Sequence, residues 1–161
     1  LIESSGISEP LPVAETFTFK DAAGTSLGSI AKLDTLVTVV DGSSFMDELM
    51  AGGALKDRGW QAQPEDQRTI AQLFCDQVEF ANVVVINKTD LVTEQELEQL
   101  VQIIRRLNPS TEVLTAAECR VPLSSIMGTG RFQLSEAAEM PEWLAVPRGK
   151  EETETESHQT Q

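Results

Sequence analysis

Asn87, Lys88 and Asp90 stand within four residues, as Asn-Lys-x-Asp, directly after the apolar run Val83-Val-Val-Ile86. The three side chains can divide one recognition task. A carboxylate at position 90 accepts two parallel donors at once, and the guanine edge offers such a pair, a ring N–H beside an exocyclic amine. Adenine does not. In the same pocket it would leave the buried carboxylate unpaired, and a site built around a hydrogen-bonded pair rejects the analogue lacking it far more strongly than an apolar pocket would. Asn87 can donate its amide to the base N7 while bracing the loop. The aliphatic stem of Lys88 can lie flat against the base with its ammonium in water. A guanine nucleotide is therefore the expected ligand, with Asp90 as discriminator. Three fixed positions arise by chance in roughly 2% of chains of this length on average residue usage, so placement has to add weight. It does: ligands of open α/β sheets lie outside the carboxyl ends of the strands, where this loop falls. The competing reading is a solvated turn after a buried strand.

A second pair, Glu3-x-x-Gly6, has the chemistry of a phosphate-sensing loop. A carboxylate there can hold Mg2+ through water, and a bare glycine N–H can approach a γ-phosphate. Alone the pair carries almost nothing, because chance supplies it readily; its value is its order and spacing ahead of Asn87. The chain contains no Gly-x-x-x-x-Gly-Lys-Ser/Thr, the loop whose backbone N–H groups and lysine cradle the β- and γ-phosphates.

The elements that must position these residues follow from periodicity. Leu1-Ile2 read as the end of a strand, and a helix is expected over about 13–17. Residues 34–41, with Leu36-Val-Thr-Val-Val40 at the centre, are β-branched and nearly all apolar, as in a central parallel strand buried on both faces. Ser43 or Ser44 can cap a short helix through about Met50, which Gly52-Gly53 break before a polar loop carrying Trp60 to Gln63. Pro64 suits the first position of a long helix to Ala81, with Ile70, Phe74, Val78 and Ala81 on one face. Thr93 and Glu96 form a capping box. Leu97, Leu100, Val101, Ile104 and Leu107 stripe the helix that follows, which Asn108-Pro109 stops. A short strand is expected over 112–115, and 121–126 enters a short helix ended by Gly128-Thr-Gly130. Strands alternating with helices make an α/β fold with a parallel sheet.

Composition limits the partners. The chain has 161 residues, 40% of them hydrophobic, and a formal net charge of −14. That is enough for one domain with a core. The charge repels polyphosphate backbones and anionic membrane surfaces, so neither nucleic acid nor membrane is an expected partner. Backbone N–H groups and one or two lysines can still hold a single nucleotide. The two cysteines form no short-spaced metal pair, which fits a reducing compartment. Cys75 reads as a small core residue; Cys119, in a loop, is open to a role, with buried packing the better expectation. The first residue is Leu and no signal peptide is recognisable, so the chain reads as a fragment. Residues 148–161 read as an acidic, disordered tail or linker, with four glutamates and no large apolar residue from Gly149 on. His158 falls within it and is given no role.

With Glu3-Ser-Ser-Gly6, the strand through residue 41, Asn87-Lys-Thr-Asp90 and Val121-Pro-Leu taken together, the chain closely resembles CobW-like GTPases, which include zinc metallochaperones and metal-enzyme activators. The resemblance covers about residues 1–147. Arg58-Gly-Trp-Gln-Ala62 and Asp76-Gln-Val-Glu-Phe-Ala81 resemble the branch containing zinc-limitation proteins and nitrile hydratase activators. It implies an incomplete P-loop NTPase domain with a mainly parallel sheet flanked by helices, whose phosphate loop lies upstream of Leu1. Glu3 and Gly6 would then meet Mg2+ and the γ-phosphate, Glu3 as metal ligand, while Asn87, Lys88 and Asp90 contact guanine, with a contribution from the loop around Cys119 and Arg120 open. GTP is the implied substrate. Zn2+ belongs to the parent protein through a Cys-x-Cys-Cys motif absent from this chain. The implied partners are guanine nucleotide and a metalloprotein client, with a homodimer left open, and the implied compartment is the cytoplasm, organelle targeting also left open. The parent family hydrolyses GTP; this chain, lacking the phosphate loop, is expected to be inactive alone. The alternative is a non-enzymatic, truncated or degenerate paralogue acting as an interaction module. A Ras-like signalling GTPase would carry Asp where Glu3 stands, which argues against that third reading.

Overall fold

The computed structural model describes residues 1–59, 68–133, 135 and 137. Its centre is β2, Val83–Asn87, a run of β-branched residues whose first four side chains are all buried. Burying each contributes about 1.5–3 kcal/mol relative to leaving it in water. β1, Val37–Asp41, and β3, Glu112–Thr115, pair with β2 on either side, both parallel. The order is β1-β2-β3, so successive strands are neighbours and the sheet never reverses direction of growth.

With that order, two right-handed crossovers place their helices on one face. The first crossover holds α2, Phe45–Met50, and α3, Ile70–Glu79; the second holds α4, Glu94–Leu107. On this face Val40, Val84 and Ile86 pack with Phe45, Val78, Ala81, Leu100 and Ile104 in one core. Phe45 and Phe74 stack there with ring centroids 5.4 Å apart, joining α2 to α3. The α4 stripe expected from the heptad-like spacing is the stripe observed. Thr93 caps α4 as expected: its hydroxyl accepts the Glu96 N–H, and the Glu96 carboxylate takes the Thr93 N–H and hydroxyl. Those bonds hold the Glu96 carboxyl below its ordinary value.

The opposite face is covered unevenly. Val83 and Val85 pack against Ala116, with Leu114, Val121 and Ile126 around them. In β1, Val37 and Val39 share that face by register and are 39% and 59% exposed. β1 is thus an edge strand, bare on one side, and not the doubly buried central strand its composition suggested; β2 has that place. The reason is topological: nothing among the described residues pairs with the outer edge of β1.

Four other expectations change. The first helix, α1, runs Pro10–Glu15, because Pro10 sits at its first position, and continues as a 3-10 turn over Thr16–Thr18. α3 begins at Ile70: Thr69 is extended and makes its own capping box with Gln72, a signal local pattern reading missed. The start at Pro64, the loop from Trp60 to Gln63, the boundary at 147, the acidic tail and His158 lie outside the described residues. Leu1 and Ile2 form no strand, since a strand exists only where a neighbour takes its N–H and C=O groups; both side chains are exposed. The segment over 121–126 holds a 3-10 turn, Leu123–Ser125, in place of an α-helix. Among the described residues no helix is long and apolar enough to cross a membrane.

Candidate functional site

β2 ends at Asn87, and the chain then turns sharply. Lys88 takes a left-handed conformation, φ 60° and ψ 36°, which costs a non-glycine residue about 1–2 kcal/mol. Thr89–Leu91 follow as one 3-10 turn. The Thr89 N–H and hydroxyl both donate to the Ala116 carbonyl, each at 3.1 Å, so the loop after β3 clamps the turn after β2.

That loop also fixes Asn87. Its Oδ1 accepts the Cys119 N–H at 2.7 Å. Glu118 and Cys119 both have φ 53°, the curl that aims this N–H inward. With Oδ1 so engaged, the amide NH2 of Asn87 is the end left to donate elsewhere. Asp90 is exposed and makes no hydrogen bond or ion pair among the described residues, so both its oxygens are available as acceptors. Asn87, Lys88 and Asp90 thus stand together beyond the carboxyl end of β2, as their spacing implied. Cys119 is exposed, against the expectation that it packs inside: its left-handed backbone turns the side chain off the sheet. Arg120 pairs with Glu118 at 2.6 Å on the surface. Cys75 is half-buried, and desolvation pushes its thiol pKa up, assisted by Asp76 and Glu79.

One residue at this end was legible in the sequence only as a strand boundary. Asp41, the last residue of β1, lies opposite Asn87 in register and accepts the Lys88 ammonium at 2.5 Å. The Lys88 hydrogen bond, then that of the Ser43 side chain, holds the Asp41 carboxyl below its ordinary value. In return Asp41 pushes the Lys88 ammonium up, with a smaller push from Asp90. A carboxylate closing an apolar strand beside a basic loop was the available signal. Gly42 follows, its N–H on the Asn87 carbonyl at 2.9 Å. A Cβ there would sit 3.0 Å from that carbonyl oxygen and 3.3 Å from Ile86 Cγ2.

Glu3 and Gly6 lie elsewhere in the contact network. The Gly6 carbonyl accepts Gln77 Nε2 at 2.8 Å, in the second half of α3. The Gln77 carbonyl in turn takes the Thr38 hydroxyl near the amino end of β1. Glu3 is exposed, and among the described residues no hydrogen bond or ion pair links Glu3 or Gly6 to Asn87, Lys88 or Asp90. A hollow of about 370 Å³ lined by Phe19, Lys20, Leu27 and Ile30, among others, shares no residue with either group. Among the described residues no three His, Cys, Asp or Glu side chains cluster to hold a metal ion.

A family model described as "CobW/HypB/UreG, nucleotide-binding domain" matches residues 1–115, which include both sequence motifs. The chain belongs to the CobW/HypB/UreG family. Among curated CobW/HypB/UreG relatives, the "Zinc-regulated GTPase metalloprotein activator 1" of Dictyostelium discoideum is 46% identical over 156 residues, covering 96% of this chain and 33% of that protein. A protein of the same name in Schizosaccharomyces pombe is 30% identical over 114 residues, 71% of this chain and 22% of the relative. The "Zinc chaperone CobW" of Pseudomonas aeruginosa is 24% identical over 132 residues, 80% of this chain and 34% of the relative. The chain therefore spans about a third of the length of two of these relatives and less of the other. No solved structure matches it. Within the family's P-loop NTPase architecture, the three parallel strands and flanking helices form a partial α/β domain.

Proposed function

We propose that this chain is the guanine-recognising part of a GTPase that delivers a metal ion, with Zn2+ as cargo, to a metalloprotein client. The observation that carries the reading is the division of labour beyond β2. The Oδ1 of Asn87 is spent on the Cys119 N–H, its amide NH2 is left over, and the Asp90 carboxylate, without a partner among the described residues, stands two residues beyond Lys88. An amide donor for N7, an apolar stem for the ring face and a two-oxygen acceptor for the N–H pair make a guanine-specific set. The names of the relatives, one a zinc-regulated GTPase and metalloprotein activator and one a zinc chaperone, support the metal side of the proposal.

Glu3 and Gly6 are assigned to Mg2+ and the γ-phosphate. Mg2+ in nucleotide sites takes one or two carboxylates and completes its shell with water and phosphate oxygens. The exposed Glu3 carboxylate, with no protein partner among the described residues, meets that requirement. When bound, the ion neutralises phosphate charge. The Gly6 N–H would approach the terminal phosphate, and Asn87, Lys88 and Asp90 would orient the base.

A second reading, a non-enzymatic interaction module, is favoured by one observation. The Gly6 carbonyl is tied to Gln77 rather than to anything at the base-reading end. Nucleotide binding separates the two. The full-length protein is expected to bind GTP far more tightly than ATP, and this chain to bind either weakly or not at all. Equal affinity of the full-length protein for both nucleotides would overturn the GTPase reading; tight GTP binding by this chain alone would show that the upstream residues are dispensable.

The close approach at Gly42 provides a further check. In Gly42→Ala the Asn87 carbonyl must retreat by a few tenths of an ångström, dragging the base-reading loop with it. Misplacements on this scale translate into roughly threefold to tenfold weaker GTP binding. Calorimetric titration of the full-length variant measures it, and unchanged affinity would mean that this loop does not touch the nucleotide.

A further inference from the structure

The Asp41 carboxylate is held at both oxygens. Oδ1 accepts the Ser43 N–H at 2.9 Å and the Ser43 hydroxyl at 2.6 Å; Oδ2 accepts the Lys88 ammonium at 2.5 Å. With Oδ1 clamped by Ser43, the carboxylate cannot rotate freely, so Oδ2 offers one direction of approach. The same residue is the β1 partner of Asn87, and the next N–H, that of Gly42, donates to the Asn87 carbonyl. The ends of β1 and β2 are therefore joined twice, once through backbone and once through the Lys88 side chain.

Such a pair does little for the fold. The two side chains are 33% and 49% exposed, and ion pairs this wet are worth almost nothing to stability. What the pair does is fix a flexible stem: a free lysine loses much rotamer freedom on being held in one geometry. Resting on the base-reading role assigned to Asn87, Lys88 and Asp90, we propose that Asp41 is a positioning residue for the nucleotide. It tethers the Lys88 ammonium across the strand ends so that the aliphatic stem is already laid out as a floor for the purine ring. Asp41 touches no nucleotide; it acts through Lys88. The left-handed backbone at Lys88 fits this role, because it turns the residue out of the strand direction just where its side chain must reach the neighbouring strand.

The test is a double-mutant cycle on the full-length protein. Asp41→Asn keeps the size and an acceptor for Ser43 but discards the charge. Lys88→Met keeps the stem but discards the ammonium. Asp41→Asn is expected to weaken GTP binding about fivefold to tenfold, the cost of ordering one released side chain, with the melting temperature within about 2 °C of wild type. In the Lys88→Met background the same substitution is expected to change nothing further. Equal losses in both backgrounds, or no loss in the wild-type background, overturn the tether. Lys88→Arg is the second arm, usable even if Asp41→Asn does not fold. Its fork still reaches Asp41, so it is expected to bind GTP more tightly than Lys88→Met, and parity between the two also overturns the tether. A wild-type protein that binds GTP and ATP alike overturns the base-reading assignment and this inference with it. A selective wild type with uncoupled substitutions overturns the tether alone.

Discussion

Replacing Asp90 by alanine in the full-length protein is expected to level its affinities for GTP and ATP. In the proposed guanine site Asp90 supplies the one feature that adenine cannot satisfy, two carboxylate oxygens to accept two adjacent donors. In the structure those oxygens have no protein partner among the described residues, so the substitution removes recognition without orphaning another group. Sites built on such hydrogen bonds discriminate by about 10⁴–10⁵. The ratio of GTP to ATP affinity should accordingly collapse by on the order of 10³ or more, mostly through lost GTP binding. ATP should be little affected, since it never satisfied the carboxylate. Titrating both nucleotides against wild type and variant decides it: a variant that still prefers GTP by its original margin would move base recognition away from position 90.

The second large effect concerns stability. Asn108, 5% exposed, occupies the C-cap of α4 and reaches back to α3. Its Nδ2 donates to the carbonyls of Val78, Glu79 and Ala81 at 3.0, 2.8 and 2.9 Å. Its Oδ1 accepts the Ser110 N–H and hydroxyl at 3.1 and 2.8 Å. Carbonyls at the end of a helix lack partners within it, and here the two N–H bonds of one amide are shared among three carbonyls at and just beyond the end of α3; that of Val78 also accepts the Ala81 N–H at 3.2 Å. Asn108→Leu would take this donor from the Glu79 and Ala81 carbonyls, while Val78 keeps the Ala81 N–H, at about 1–3 kcal/mol for each group that water cannot reach. A loss of about 3 kcal/mol is expected, or roughly 6–12 °C in melting temperature for a domain of this size. Thermal or urea unfolding measures it; a loss under about 1 kcal/mol would mean that water replaces the amide.

These two residues mark what was legible in the sequence. The motif that holds Asp90 announced itself because it is written within four residues of one loop. So did the Thr93 capping box and the α4 stripe, since a helix writes its contacts three and four residues apart. Asn108 was legible only as a helix stop, because its partners lie 27 to 30 residues away. Asp41 was hidden for the same reason: its partner is 47 positions on, and only the parallel register of β1 with β2 brings them side by side. The Thr69 cap is as local as that of Thr93, a threonine three residues before a glutamine. The exposure of Val37 and Val39 was unreadable in principle, since an apolar run states what a strand prefers to touch and not whether a neighbour is there.

That bare flank of β1 has a further consequence. Its outer rim, which pairs with nothing among the described residues, lies beside two solvent-facing valines, a seam onto which the rim of another molecule can zip. Against this stands a formal net charge of −14, which drives like copies apart. The repulsion reaches only about 10 Å at 0.1 M ionic strength. Colloidal behaviour of this polypeptide is thus a contest between a short-range adhesive strip and a diffuse electrostatic cushion, and added salt thins the cushion while leaving the strip intact.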